Sequence, residues 1–261
     1  MFKKFRLTCQ EINPNDMKTM LTALLAGLAF LQPVRGQFES DVIKTSEGDL
    51  EMFFIGHGTL MFQCKGQVIH IDPVMREADY ANLPDADLIL VTHQHGDHLD
   101  MNAIRHLLKS GTRVVMTETC MEQLEDFETE LMRNGDVATF KGIEIHAIPA
   151  YNIVNKRPNG QAYHPKGEGN GYILKFGDIH VLIGGDTENI PEYKELEVPV
   201  DVAFLPMNLP YTMTPAMVAD AARVLHPHIL YPYHFGNTDT QELVDLLQDE
   251  KDIEVRIRDL D

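Results

Sequence analysis

The chain has 261 residues, of which 44% are hydrophobic, and a formal net charge of −18. This length and composition predict a soluble globular protein with one sizeable core, and they require no second domain. The chain has 40 acidic and 22 basic residues. This excess of acidic residues argues against nucleic acid as a substrate, because phosphate binding needs clustered Lys and Arg.

The first 36 residues differ from the rest. An apolar run at 20–31 follows Lys18 and precedes the small residue Gly36, which is the pattern of a signal peptide. A bilayer span takes about 20 apolar residues, so a retained anchor is the weaker interpretation. Met17 is a more natural start than Met1, because the basic segment before it would make the leader unusually long. We expect a periplasmic or secreted domain of residues 37–261, with a net charge near −21 and no stable membrane insertion.

From residue 48, short β patterns alternate with helical ones. The first half predicts helices at 100–109 and 118–132 and strands at 50–55, 60–64, 67–71, 87–91, 113–117, 137–140 and 143–148. Residues 150–169 show neither period and predict a long loop, which a compact domain usually keeps for a binding site. The second half predicts helices at 191–196, 215–225 with Thr214 as N-cap, and 240–248, and strands at 172–176, 180–183, 202–206, 229–233 and 253–257.

Two cysteines lie in the predicted domain. Cys64 ends an apolar strand pattern and Cys120 lies in a helical one, and neither has the spacing of a metal ligand. Buried free thiols are therefore the expected state, and a single disulfide between them is the alternative.

A cluster of histidines follows the predicted strand at 87–91. His93, His95, Asp97 and His98 lie within six residues. In an extended segment, His93 and His95 point the same way, and Gly96 allows a turn that brings Asp97 and His98 from another side. Imidazole and carboxylate ligands suit zinc and its first-row neighbours, so this segment predicts a metal site, and two ions are compatible with its two-sided arrangement.

Two later segments repeat this order of strand and then ligand. Asp186 follows the predicted strand at 180–183, and His234 follows the one at 229–233. Because ligands in open α/β sheets lie beyond the ends of strands, we expect both side chains at the same site. Taken alone, Asp186 is also compatible with an ordinary turn and His234 with a buried structural histidine.

The pattern His-x-His-x-Asp-His at a strand end resembles the signature of the metallo-β-lactamase superfamily of metal-dependent hydrolases, over about residues 48–261. The resemblance implies an α/β fold, a four-layer αββα sandwich of the metallo-β-lactamase type. It also implies two metal sites bridged by one carboxylate. The first would contain His93 and His95, the second would contain Asp97, His98 and His234, and the bridge would be Asp186.

The third ligand of the first metal departs from the family pattern. The family usually supplies a histidine shortly after the strand predicted at 143–148, and this chain has Asn152 there. Asn is a poor zinc ligand beside imidazole, so either the first site is weak or another histidine reaches it. The loop around His164 is similar to that of a branch that includes ascorbate-6-phosphate lactonase-like and N-acylphosphatidylethanolamine phospholipase D-like enzymes, which favours His164.

Three further residues complete the predicted site. His57, in Gly56-His57-Gly58-Thr59, resembles a turn of the same branch and would face the substrate or support a ligand, although a surface turn histidine fits the sequence equally well. Asp72 would orient a ligand histidine by accepting its free N–H. Asp97 would also steer the nucleophile, and His57 and Tyr211 are the candidates for protonating the leaving group.

These residues predict a hydrolase. A zinc-type ion lowers the pKa of bound water to about 7, and a second ion stabilises developing charge. We therefore expect a metal-bound hydroxide at a binuclear site, with Zn²⁺ as the metal and Mn²⁺ or Fe²⁺ as alternatives. The scissile bond of an ester, lactone, amide or phosphodiester fits this chemistry, and the resemblance to the lactonase-like and phospholipase D-like enzymes favours an ester, lactone or phosphodiester of a small molecule or lipid. The competing interpretations are a non-catalytic metal-binding protein with a degraded first site and an iron-dependent oxidoreductase.

Overall fold

Two seven-stranded sheets hold most of the regular structure. The computed structural model describes residues 37–123 and 128–260, so the predicted leader at 1–36 lies outside the described residues. The first sheet contains, in spatial order, β1 (Glu39–Thr45), β2 (Gly48–Gly56), β3 (Thr59–Cys64), β4 (Gln67–Ile71), β5 (Leu88–Leu90), β6 (Arg113–Met116) and β7 (Glu130–Leu131). The second contains β8 (Val137–Phe140), β9 (Ile143–Ala150), β10 (Gly169–Phe176), β11 (Ile179–Ile183), β12 (Val202–Pro206), β13 (Ile229–Tyr233) and β14 (Glu254–Val255).

The helices are short and connect the later strands of each sheet. The α-helices of the described residues are α1 (Met101–Leu107), α2 (Glu118–Met121), α3 (Pro215–Leu225) and α4 (Thr240–Leu247), and 3₁₀ turns occur at Tyr80–Asn82 and Pro191–Glu195. Thr214 caps α3 by accepting a hydrogen bond from the backbone N–H of Met217, as predicted. Among residues 37–123 and 128–260, no helix is long and apolar enough to cross a membrane.

The two sheets have the same plan. Consecutive strands are antiparallel from β1 through β4 and from β8 through β11. They are parallel from β4 through β7 and from β11 through β14. Parallel strands need a crossover, which is why the helical segments follow the meander in each half. The predicted α/β fold is confirmed, and its two β-rich halves share one plan.

Alternating side chains of one strand reach two different cores. In β12, Val202 and Phe204 lie in the core between the sheets, while Ala203 and Leu205 pack with the buried faces of α3 and α4. Successive side chains of a strand point to opposite faces, so a strand covered on both sides must be apolar throughout. This burial produces the predicted layering of helix, sheet, sheet and helix.

One prediction of local structure was wrong, and one strand was missed. The helix predicted at 118–132 stops at Met121 in α2, and Glu130–Leu131 form β7, which pairs with β6. The parallel edge of β6 offers backbone partners that a local helical pattern does not reveal. Strand β1 was not predicted, because its sequence is largely polar, and it is an edge strand that pairs with β2 alone in the sheet. Cys64 and Cys120 are buried free thiols, as predicted.

Candidate metal centre

The candidate site lies where several strands end. His57 follows β2, Asp72 follows β4, the segment 93–98 follows β5, Asp186 follows β11 and His234 follows β13. Each strand delivers a ligand-type side chain just past its last paired residue. The predicted placement beyond strand ends is therefore what the structure shows.

A first cluster of four side chains contains the histidine from the long loop. The cluster consists of His93, His95, His164 and Asp186, whose ligand atoms lie within 4.8 Å of one another. His95 Nδ1 lies 3.1 Å from His93 Nε2 and 3.2 Å from His164 Nε2, and His164 Nε2 lies 3.0 Å from Asp186 Oδ2. Three imidazole nitrogens and one carboxylate oxygen thus converge on one point.

A second cluster shares the same carboxylate. His98 Nε2 and His234 Nε2 lie 3.4 Å and 3.6 Å from Asp186 Oδ1. All three of these atoms are buried without a hydrogen-bond partner. Buried polar atoms nearly always have a partner, so a set of three that face one another fits a bound cation. Asp186 presents Oδ2 to the first cluster and Oδ1 to the second.

Asp97 lies at the edge of the second cluster. Its Oδ2 is 3.4 Å from His57 Nε2 and 3.6 Å from His234 Nε2, and its side chain is 34% exposed. The His57 and His234 rings are 3.7 Å apart. The structure therefore groups Asp97 with His57 and His234. Gly58 permits this close assembly, because a Cβ there would lie 2.6 Å from the His98 ring.

A buried network fixes which nitrogen of two rings carries the proton. His98 Nδ1 lies 2.7 Å from Asp72 Oδ2, and the Thr92 hydroxyl donates to the same oxygen at 2.6 Å. With its proton used in this way, the Thr92 oxygen accepts from His93 Nδ1, 3.0 Å away. Both rings therefore hold a proton on Nδ1 and direct Nε2 towards Asp186. Asp72 has the orienting contact that the sequence predicted.

Asn152 supports His164 instead of occupying the first cluster. Asn152 Oδ1 accepts from His164 Nδ1 at 2.7 Å and from its backbone N–H at 2.8 Å. The Asn152 Nδ2 donates to Glu188 Oε1 at 3.0 Å and to the carbonyl of Tyr211 at 2.8 Å. Both partners of Nδ2 are acceptors, which fixes the amide orientation and leaves His164 Nε2 free to bind a cation. The geometry thus favours His164 over Asn152 as the third donor.

Glu188 was missed by the sequence reasoning. Its carboxylate is fully buried and accepts from the backbone N–H groups of Ile153, Val154 and Asn155, each at 2.7 Å, besides the Asn152 amide. Four donors on one carboxylate hold the start of the long loop in place. A second acidic residue just after Asp186 was the available signal, because buried charges are rare unless they have partners.

The charges of the site are strongly coupled. Burial raises the pKa of the Asp186 carboxyl, but His234, His98 and His164 outweigh it and hold that pKa well below its usual value. Burial, reinforced by repulsion from His98, puts the pKa of His93 well below the usual range. Burial also opposes charge on His98, yet Asp186 and Asp72 raise the pKa of His98 to about 9. A ligand histidine must be neutral, so a cation at His98 Nε2 competes with this proton.

Two adjoining cavities give access to the clusters. The inner cavity has a volume of about 320 Å³ and is lined by His95, Asp97, Arg157, Tyr163, His164, Asp186, Asn208, Tyr211 and His234. The outer cavity of about 440 Å³ shares His95, Arg157 and Tyr163 with it. Tyr211 is 45% exposed and its ring packs edge-on against Tyr163 at 5.0 Å, so it lies at the rim of the inner cavity.

Comparison with known proteins identifies the family. The model of the beta-lactamase superfamily domain matches residues 51–234, which include every histidine and carboxylate of the two clusters. The chain belongs to this superfamily. Within it, a metal-dependent hydrolase of Thermococcus kodakarensis is 31% identical over 194 residues, which are 70% of this chain and 83% of that protein.

Solved structures agree with this assignment to the beta-lactamase superfamily. A candidate metal-dependent hydrolase from Parabacteroides distasonis is 46% identical, with a TM-score of 0.80 over 86% of this chain and 100% of its own. A metallo hydrolase from Ignicoccus hospitalis is 22% identical, with a TM-score of 0.67 over 81% of this chain and 95% of its own, and it shows the likeness of fold. The predictions of the family, the fold and an enzyme of the metal-dependent hydrolase class are confirmed.

Proposed function

We propose that this member of the superfamily is a binuclear zinc hydrolase that cleaves an ester, lactone or phosphodiester of a small molecule or lipid. The observation that carries the proposal is the position of Asp186, whose two oxygens face two separate groups of imidazoles. One carboxylate between two histidine clusters supports two ions that share a bridging ligand.

The donor set matches zinc. His93, His95 and His164 would hold the first ion, and Asp97, His98 and His234 the second, with Asp186 between them. Imidazole with a single carboxylate suits zinc, and Mn²⁺ and Fe²⁺ remain the alternative metals because they accept the same ligands. The first cluster has four donors, which weighs against a degraded first site and a purely metal-binding role.

The surrounding residues have separate roles in the proposed reaction. Bound zinc ions would lower the pKa of water to about 7 and stabilise negative charge on the substrate. Asp97, partly exposed between His57 and His234, is positioned to accept a hydrogen bond from the attacking water. His57 and Tyr211 remain the candidate proton donors to the leaving group, and His57 is the nearer of the two to the clusters.

Metal analysis combined with a substrate panel tests the function. The protein should contain about two zinc ions per chain, and it should hydrolyse at least one of p-nitrophenyl acetate, δ-valerolactone and bis(p-nitrophenyl) phosphate. Chelation should abolish the activity and added zinc should restore it. Bound iron together with no hydrolysis of any substrate in the panel would favour the oxidoreductase alternative. Activity that survives exhaustive chelation would refute the metal-dependent reaction.

A matched pair of variants locates the activity. Asp186→Asn should lose metal and lower kcat/KM by at least about 100-fold, because it weakens the bridge between both clusters. Asp178→Asn is the control, since Asp178 accepts a hydrogen bond from the backbone of Ser46 in a surface turn. Equal activity of the two variants would contradict the assignment.

We also propose that the protein is exported, with residues 1–36 as its signal peptide, and that its substrate is not a nucleic acid. The short apolar run at 20–31 supports export, and the net charge of −18 argues against nucleic acid.

A further inference from the structure

We propose that the substrate of this site carries an anionic oxygen group and that Arg157 binds it. This inference rests on the proposed function and adds the charge of the substrate to it. Arg157 lines both cavities, so this residue lies where the inner and the outer cavity meet. Among the residues that the structure describes, it is the one Lys or Arg side chain in either lining.

The loop holds Arg157 in a defined place. The Arg157 N–H donates to the carbonyl of Gln161 at 2.7 Å, and Lys156 and Ala162 form a β-bridge beside it. The guanidinium lies over the Tyr163 ring at 5.1 Å and also donates to the Tyr163 carbonyl at 3.4 Å. Stacking on an aromatic face limits the rotamers of Arg and leaves most of its N–H groups available to a ligand.

Arg157 also lacks the partner that most arginines of this acidic chain have. Six arginines of the described residues form ion pairs with Asp or Glu, namely Arg76, Arg113, Arg133, Arg223, Arg256 and Arg258. Within residues 37–123 and 128–260, Arg157 forms none. An unpaired cation at the mouth of a cavity, in a chain of net charge −18, points to a ligand of opposite charge.

The carboxylates of the two cavities do not neutralise Arg157. Asp97 and Asp186 face the imidazoles of the clusters, and Glu168 in the outer cavity accepts from Gln94 at 3.0 Å. A guanidinium fork matches the oxygens of a phosphate or carboxylate. The anion is either the scissile phosphodiester itself or an acidic group at a distance from the scissile bond, held in the outer cavity.

Three chromogenic substrates separate these cases. Bis(p-nitrophenyl) phosphate has its charge at the scissile group, mono-p-nitrophenyl glutarate has a carboxylate away from it, and p-nitrophenyl acetate is neutral. In Arg157→Gln, we expect kcat/KM for an anionic substrate to fall about tenfold, mainly through KM, and to change by less than about twofold for the neutral ester. Arg157→Lys should recover part of the loss, because it restores the charge without the fork.

Lys156→Gln is the matched control. It removes the same charge from the neighbouring residue of the same loop, and Lys156 lines neither cavity. A loss of kcat/KM in Arg157→Gln on one or both anionic substrates, absent from Lys156→Gln, supports the inference. The substrate that is affected shows whether the anion lies at the scissile group or away from it. No loss, or an equal loss on charged and neutral substrates, overturns it while leaving the proposed function intact. A wild-type protein that hydrolyses p-nitrophenyl acetate or δ-valerolactone but neither anionic substrate also overturns the inference and leaves the proposed function intact. One that hydrolyses none of these four substrates, with zinc bound, removes both.

Discussion

The substitution Glu188→Gln tests whether a residue outside the clusters decides that His164 binds metal. In the native protein, all four N–H donors around Glu188 meet carboxylate oxygens, two on each oxygen. Glutamine has the same shape but replaces one acceptor oxygen with an NH₂ group. Two donors must then face another donor. They are either the backbone N–H groups of Ile153 and Val154 or the backbone N–H of Asn155 and the side-chain amide of Asn152, so the start of the long loop loses two of its four hydrogen bonds to residue 188.

These losses would act on His164 through Asn152. Asn152 Oδ1 accepts the Nδ1–H and the backbone N–H of His164, so a loosened Asn152 no longer holds His164 Nε2 firmly beside Asp186. Hydrogen bonds to charged groups contribute about 1.5–3 kcal/mol each, so two lost bonds should destabilise folding by about 3–6 kcal/mol. Loss of such a supporting contact typically lowers metal affinity about 10- to 100-fold.

Metal content and amide exchange measure the effect. We expect Glu188→Gln to bind about one ion per chain after dialysis, and the backbone N–H groups of residues 153–155, which now donate to Glu188, should exchange with solvent faster than in the wild type. Glu192→Gln serves as the control, since Glu192 accepts from Tyr151 and Lys166. Thermal unfolding confirms that both variants are folded. A folded Glu188→Gln protein with two tightly bound ions and unchanged amide exchange at residues 153–155 would refute the reasoning.

Three further predictions follow from single residues or segments. His164→Ala should reduce bound metal from about two ions to about one, as measured by elemental analysis. The control His146→Ala should retain both ions, because the His146 ring contacts Glu144 at 2.7 Å instead of the clusters. Full metal content in His164→Ala would exclude His164 as a ligand. Burial lowers the pKa of His70 from 6.5 to about 4. Below pH 6.5 the unfolded chain takes up a proton on His70 that the folded protein does not, so the free energy of unfolding falls by about 3 kcal/mol as pH falls from 6.5 towards 4. In chelator-treated protein, the free energy of unfolding measured with urea should therefore fall less for His70→Asn than for the wild type between pH 6.5 and 4.5. An equal fall in both proteins would show that His70 is not the group responsible. N-terminal sequencing of the protein from its native host should begin near Gln37, and a mature protein that retains Met1 would refute export by this signal.

The sequence by itself determined the fold class and most of the candidate ligands. His93, His95 and His98 lie within six residues, so their proximity is local and needs no knowledge of packing. Asp186 and His234 could be found because each follows a strand whose apolar pattern is readable, and parallel strands bring such ends to one edge of a sheet. The periods of β12, β13 and α3 are likewise local properties of the chain, which is why their bounds were predicted closely.

Tertiary structure decided what depends on contacts between distant segments. The loop at 151–168 has no period, so only the hydrogen bond from His164 to Asn152 shows which of the two faces the clusters. Glu188 acquires its role from four donors in another segment, and β7 forms because β6 offers an open edge. These outcomes depend on which buried donors find which acceptors, and that is fixed only when the sheets have packed together.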